Sequence, residues 1–189
     1  MMAMLDIIIS FIVGGILLLA ILSVNANLTD VGIQSSLDYS AQVGAIDLGQ
    51  VFEYDLYKIG YHASNPKITF ADTVKISYKA DFENNGTVDT VTYYAGTTSE
   101  ASTTPNPRDF PLYRQVNNLP AVKNYYGLTW LRFTYYDSTG AALSTPMSLS
   151  ADLQRIKSIR VQVTVQSTFP YDTTYSSAYW ERTFFPMNL

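Results

Sequence analysis

The stretch IIISFIVGGILLLAILSV, residues 7–24, decides the architecture of this chain. No charged side chain occurs between Asp6 and Asp30. A helix rises about 1.5 Å per residue and the hydrocarbon core of a bilayer is roughly 30 Å thick, so the run is long enough for one membrane span. A secretory signal peptide begins with positive charge, but no basic residue precedes Lys58. We therefore expect residues 1–27 to be a retained apolar helix.

Residues 28–60 continue this helix with an amphipathic pattern. The segment contains no proline, and its apolar residues recur at steps of three and four, which is the period of one helix face. These apolar residues are Leu37, Ala41, Ala45, Leu48, Phe52, Leu56 and Ile59. We expect Asp47, Glu53 and Asp55 to lie on the polar side, in contact with water. Gly60 is placed to cap the helix at its C-terminal end.

The remaining residues, 61–189, have the alternating pattern of β-strands. From Val74 to Phe82 apolar and polar side chains alternate, and the dipeptide Asn85-Gly86 predicts a tight hairpin to a second strand over residues 87–95. Further strands are predicted over residues 112–116, 128–136, 156–169 and 179–185, with a turn at 137–140 and a helical turn from 150. The expected fold class is α+β, with the long helix packed on one antiparallel sheet of five to seven strands.

Composition excludes several classes of protein. The 189 residues include no cysteine, so neither disulfides nor thiolate metal sites are available. The formal charge of −4 argues against a general nucleic-acid binder, which needs clustered cations. The chain has no P-loop, dinucleotide-binding glycine motif, nucleophile elbow or HExxH sequence. We expect no enzymatic activity, no cofactor and no nucleic-acid partner.

Several segments resemble a known family. A short N-terminal tip, an apolar run continuous with an amphipathic helix and a C-terminal antiparallel sheet look like the type IV pilin and pseudopilin superfamily. Four segments are similar to its minor pilin W and pseudopilin J branch: FEYDLYKIGYHASNP (52–66), ISYKADFENNGTVDTVTYY (76–94), PLYRQVN (111–117) and LTWLRFTYYDSTGA (128–141).

This resemblance implies a structural role. Such proteins are held in the inner membrane by one helix and then assemble with copies of themselves or with related pilins into a helical filament on the cell surface. Residues 1–27 would form the transmembrane or filament-core segment, residues 28–60 the amphipathic continuation, and residues 61–189 the β-rich domain. Methylation is a modification that the resemblance also implies.

Asp6 is the residue that matches the family most closely. Counted from Met2 it is fifth, where pilins carry an acidic residue, normally glutamate, that pairs with the N-terminal amine of a neighbouring subunit. A lone carboxylate among apolar helices is costly, and pairing with an ammonium removes much of that cost. Alternatively, Asp6 marks the water boundary of an anchor or lies at the positive end of the helix dipole. Gly14 and Gly15 would allow close helix approach.

The predicted hairpin also contains a weak calcium-loop pattern. Asp81, Glu83, Asn85 and Asp89 have the odd-numbered spacing of calcium ligands, but Thr92 stands where a bidentate glutamate belongs. The same residues are suited to a plain turn, which is the alternative interpretation.

Two classes of function remain open at this point. The chain is either a filament subunit or a monotopic membrane-anchored β-domain that acts as a binding module or as part of a membrane complex. Its 15 tyrosines bear on both, because tyrosine supplies a large rigid contact area with one polar end. Clusters at 125–126, 135–136 and 171–175 either lie at contacts between subunits or cover sheet faces within one chain.

Overall fold

The computed structural model describes residues 2–189, and the side chain of Met2 lies outside the described part. A single 55-residue helix, α1 (Met2–Leu56), precedes all of the strands. The elements that follow are β1 (Ile68–Ala71), β2 (Lys75–Ala80), β3 (Asp89–Ala95), a 3-10 turn (Thr98–Ala101), β4 (Leu112–Val116), β5 (Val122–Asn124), β6 (Leu128–Tyr136), α2 (Ser150–Leu153), β7 (Ser158–Gln166) and β8 (Ser177–Phe184). The α+β arrangement predicted from the sequence is confirmed.

Helix α1 ends four residues before the expected cap. After Leu56 the chain tightens into turns, and the Ile59 N–H donates to the Leu56 carbonyl at 3.2 Å. Gly60 has the positive φ of 79° expected of a cap, but its N–H donates to the carbonyl of Lys79 at 2.9 Å. Gly60 therefore joins the end of the helical region to strand β2 and does not close the helix itself.

The strands form two antiparallel sheets, so the prediction of one sheet was wrong. The five-stranded sheet has the order β1-β2-β3-β4-β5, and the three-stranded sheet has the order β6-β7-β8. Both sheets reach the same helix residue: the Phe52 ring lies 5.4 Å from Tyr93 on β3 and 5.8 Å from Phe133 on β6. Because both inner faces enclose one helix face, two sheets bury apolar side chains that a single flat sheet would leave in water.

The core of the domain is built on the C-terminal part of α1. The first buried helix residue is Ala41, and Leu48, Phe52 and Leu56 are inaccessible to solvent. Gly49 permits the closest approach, since a Cβ atom placed there would lie 2.6 Å from Cε2 of Trp180 on β8. The helix and the three-stranded sheet are therefore in direct backbone-to-ring contact at this point.

Strands β2 and β3 pair as predicted, but the tight turn between them does not form. The register places Ala80 opposite Asp89, so residues 81–88 form the connection. Positive φ angles occur at Asn84 (55°) and Gly86 (82°), whereas a type I′ turn at Asn85-Gly86 needs them at those two residues. The Asp81 carboxylate causes the difference, because its oxygens accept hydrogen bonds from the backbone N–H groups of Asn85 and Gly86.

Candidate functional site

The N-terminal half of α1 is an extensive exposed apolar surface. Large apolar side chains between Met4 and Ile33 keep 45–79% of their area exposed. By length and composition this helix is able to cross a membrane. Burial of one large apolar side chain contributes about 1.5–3 kcal/mol, so covering this surface with lipid or with other helices is strongly favoured.

Three of the four predicted assembly residues line one shallow groove along this half of the helix. The groove is formed by Asp6, Ile7, Ser10, Phe11, Gly14, Gly15 and Leu18. Nothing lies within 4 Å of the positions that Cβ atoms would occupy at Gly14 and Gly15, so the groove is open to a neighbouring helix. Asp6, Gly14 and Gly15, which the sequence analysis named, all line this groove, with Asp6 and Gly15 at opposite edges because nine residues turn the helix by about 900°.

Asp6 lies at the N-terminal end of the groove. The Ser10 hydroxyl donates at 2.8 Å to the backbone carbonyl of Asp6 and not to its carboxylate. Met2, the other predicted assembly residue, begins α1, but its side chain and the whole of Met1 lie outside the described residues. Pairing between Asp6 and an N-terminal amine therefore stays a prediction.

The junction between helix and domain contains a buried polar cluster that sequence reasoning missed. Asp55 was expected to meet water, but it is only 3% exposed. Its Oδ2 atom accepts hydrogen bonds from the Tyr93 hydroxyl at 2.5 Å and from Nε of Arg114 at 2.6 Å. Asp55 stands three residues after Phe52 and four before Ile59, so the period of the apolar face already indicated that it points inward.

The electrostatics of this cluster follow from its burial. Burial, followed by the negative charge of Asp55, raises the pKa of the Tyr93 hydroxyl, which keeps it a hydrogen-bond donor. For Arg114, burial lowers the pKa, but the hydrogen bonds to Asp55 and Tyr93 and the negative charge of Asp55 outweigh it and raise the pKa overall. The cluster, an ion pair with a shared hydrogen bond from Tyr93, joins α1 to β3 and β4.

The four calcium-loop candidates do not converge on one point. Burial raises the pKa of Asp81, but hydrogen bonds from the Gly86 and Asn85 amides and from His62 outweigh it, so the net pKa is lowered. Glu83 accepts a hydrogen bond from the side chain of Asn85, and Asp89 accepts one from Asn117 at 2.8 Å. Within residues 2–189, no three acidic or histidine side chains are grouped closely enough to hold a metal ion.

Tyrosines occur both in the core and at the surface, and the predicted clusters contain both kinds, because Tyr135 is buried and Tyr125 is exposed. Tyr78, Tyr93 and Tyr135 are fully buried in the core, where burial is the main cause that raises their pKa values. Tyr125 and Tyr179 remain 46% and 58% exposed. Part of the tyrosine content thus covers inner sheet faces, and the rest is available for contacts outside the chain.

Comparison with protein-family models, with curated proteins and with solved structures yields no match to this chain. What the structure itself supports is a long N-terminal apolar helix joined to two antiparallel sheets, an arrangement compatible with a pilin-like fold.

Proposed function

We propose that this protein is a structural subunit of a type IV pilus-like filament or of a pseudopilus. The α1 helices of many copies would pack into an apolar core of the filament, and the β-domains would cover its outer surface. The role is structural and not catalytic, and the partners are copies of this chain or related pilins. Before assembly the protein would be held in the inner membrane, and afterwards it would lie in a filament on the cell surface.

One observation carries this proposal: the apolar half of α1 is exposed while the other half is buried in the domain. Side chains as far along as Ile33 are open to the surroundings, whereas the core begins at Ala41. The helix runs without a break for about 80 Å, so the exposed half projects as a stiff rod. Such a rod is covered by lipid before assembly and by neighbouring rods after it.

The groove at Asp6, Gly14 and Gly15 supports association of one helix with another. Small residues let helix backbones approach closely, and Asp6 supplies a negative charge that needs a cation once neighbouring helices surround it. By resemblance to pilins, that cation is the N-terminal amine of an adjacent copy. A head-to-tail contact of this kind does not close on itself and so generates a fibre.

A second candidate function is favoured by the outer face of the three-stranded sheet. Trp130 and Tyr179 are paired through Thr164 in the strand register, and their ring centroids lie 6.5 Å apart. Beside them, Gln162 donates to the Tyr179 hydroxyl and to Glu181, both at 2.7 Å. An exposed aromatic and polar face suits a binding module, so the alternative is a monotopic membrane-anchored β-domain.

The two proposals differ in whether fibres form. Material sheared from cells that make the protein should contain fibres that bind an antibody against the β-domain, as seen by negative-stain microscopy. Asp6→Ala should abolish or sharply reduce these fibres at equal membrane-bound protein, and Asp6→Glu should retain them because it keeps the charge. Normal fibres from Asp6→Ala would show that assembly does not require the Asp6 carboxylate. Absence of the chain from every sheared fibre would leave only the membrane-anchored binding module.

A further inference from the structure

The hairpin between β7 and β8 continues beyond its strands as an ordered tip, residues 167–176. The Ser167 N–H donates to the Ser176 carbonyl at 2.8 Å, and Tyr171 and Thr174 exchange backbone hydrogen bonds of 2.9 and 3.0 Å. The hydroxyl of Tyr175 donates to the carbonyl of Pro105 at 3.3 Å and braces the tip from the side. These bonds hold the tip in one shape.

The hairpin tip runs along α1 toward its N-terminus. Near the end of β7, Val165 lies beside Gly44 of the helix, where a Cβ atom would approach it to 3.1 Å. Six residues later, Tyr171 lies near enough to Asp30 for this carboxylate to raise the pKa of the Tyr171 hydroxyl. Gly44 and Asp30 are about 21 Å apart along the helix, whereas six strand residues cover at most about 20 Å, so the long side chain of Tyr171 completes the reach.

Asp30 marks the level of a membrane surface. The uncharged stretch from Ile7 to Thr29 is about 35 Å long as a helix, compared with a hydrocarbon core of roughly 30 Å. If this stretch is centred in a bilayer, Asp30 lies only about 2–4 Å outside the hydrocarbon, within the headgroup layer. The approach of Tyr171 to Asp30, together with the contact between Val165 and Gly44, brings the hairpin tip to the same level.

The side chains of the tip suit that environment. Phe169 is 58% exposed, although nothing in the described core requires an apolar side chain there. The sequence STFPYDTTYS (167–176) carries one charge, on Asp172, and its two tyrosines are of a type enriched where a membrane meets water. Because headgroups are hydrated, the irregular backbone of the tip remains satisfied there.

We propose that the hairpin tip lies in the lipid headgroup layer while α1 spans a bilayer, with Phe169 and Tyr171 as its membrane contacts. This second attachment point fixes the orientation of the β-domain on the membrane before assembly. The proposal rests on the membrane-anchored state of the proposed function. The occupant is the lipid surface, and the near-neutral tip requires no anionic lipid.

The absence of cysteine from the sequence makes a direct depth measurement possible. The full chain is reconstituted in phosphatidylcholine vesicles with one spin label, attached in separate samples to Phe169→Cys, Phe185→Cys or Leu17→Cys. Phe185 is the matched control, because it is 67% exposed and follows Phe184, which packs on Tyr57 about 40 Å along the helix from Asp30. Collision rates with oxygen and with a water-soluble nickel chelate report the depth of each label.

The proposal predicts that collisions with the nickel chelate are several-fold less frequent at position 169 than at 185, and least frequent at 17. Equal, water-like values at 169 and 185 with a lipid-immersed label at 17 would overturn the inference and leave the anchor intact. Water-like values at all three positions would overturn the membrane anchor and the inference together.

Discussion

Arg114 Nε lies 2.6 Å from the Oδ2 atom of Asp55, and this ion pair joins helix α1 to strand β4. Asp55 is almost fully buried, while the Arg114 side chain retains 31% of its exposure. Nε of Arg114 also donates to the Tyr93 hydroxyl at 3.0 Å, so one guanidinium holds a helix residue and a strand residue together. The five-stranded sheet is attached to α1 through this charged contact as well as through the apolar core.

Loss of the Asp55 carboxylate should weaken the domain strongly. Asp55→Ala leaves a partly buried guanidinium and a buried hydroxyl without their shared acceptor, which we expect to cost about 2–4 kcal/mol of unfolding free energy. Glu53→Ala is the matched control, because Glu53 forms its ion pair with Arg182 at the surface and its loss should cost less than about 1 kcal/mol. Denaturant unfolding of the detergent-solubilised chain measures both. Equal small losses would contradict a structural role for the buried cluster.

Two glycines of α1 should respond in opposite ways to alanine. Gly49→Ala places a Cβ atom against the Trp180 ring, so overpacking should lower the unfolding free energy by about 1–3 kcal/mol despite the better helix propensity. Gly32 has nothing within 4 Å, and Gly32→Ala should leave the melting temperature of the domain unchanged or slightly higher. Thermal unfolding followed by circular dichroism compares them. A Gly49→Ala variant as stable as the native chain would show that Trp180 is not packed on the helix.

Asp109 should make stability fall as the pH rises. Its carboxylate is buried, its Oδ1 atom has no hydrogen-bond partner within the described residues, and burial raises its pKa from 3.8 to about 6, partly offset by Thr104. Between these pH values the folded chain holds a proton that the unfolded chain has released, so the unfolding free energy decreases with rising pH. Above about pH 7 the burial penalty is present in full.

The test compares Asp109→Asn with the native chain across pH. After allowance for solvent screening, the variant should be more stable by about 1–2 kcal/mol at pH 7.5, and the difference should vanish below about pH 4. Asp47 is exposed and lines the same surface cavity as Asp109, so Asp47→Asn is the control and should show no such trend. A pH-independent difference for Asp109→Asn would contradict the assigned cause.

The sequence predicted the helix and most strands because both leave a strong periodic pattern. The apolar run and the steps of three and four defined α1, and alternation located β4 and β6 to the residue. Strands β1 and β5 were missed because they contain only four and three residues, too few for a period to show. The division into two sheets was also missed, because alternation states which side of a strand is buried and not which strand is its neighbour.

The errors at particular residues have local physical causes. The prediction of a tight Asn85-Gly86 turn was wrong because the Asp81 side chain accepts hydrogen bonds from the backbone N–H groups of both residues. The prediction that Asp55 meets water was wrong because it followed from the charge of this residue, whereas its position on the apolar face directs it into the core. Helical spacing alone does not place Asp6, Gly14 and Gly15 on one narrow stripe, and no pattern within one strand indicates that the hairpin tip would lie near Asp30.

The central claim is that the exposed half of α1 leaves the lipid and becomes buried among copies of this chain outside the cell. The measurement is the reaction of a maleimide reagent with Leu17→Cys in sheared extracellular material, with Met187→Cys, at a residue 95% exposed, as the reactive reference. We predict that the cysteine at 187 reacts with the maleimide at once and that the cysteine at 17 reacts only after denaturation. A cysteine at 17 that reacts as fast as the one at 187, or a chain found solely in the membrane fraction, would contradict it.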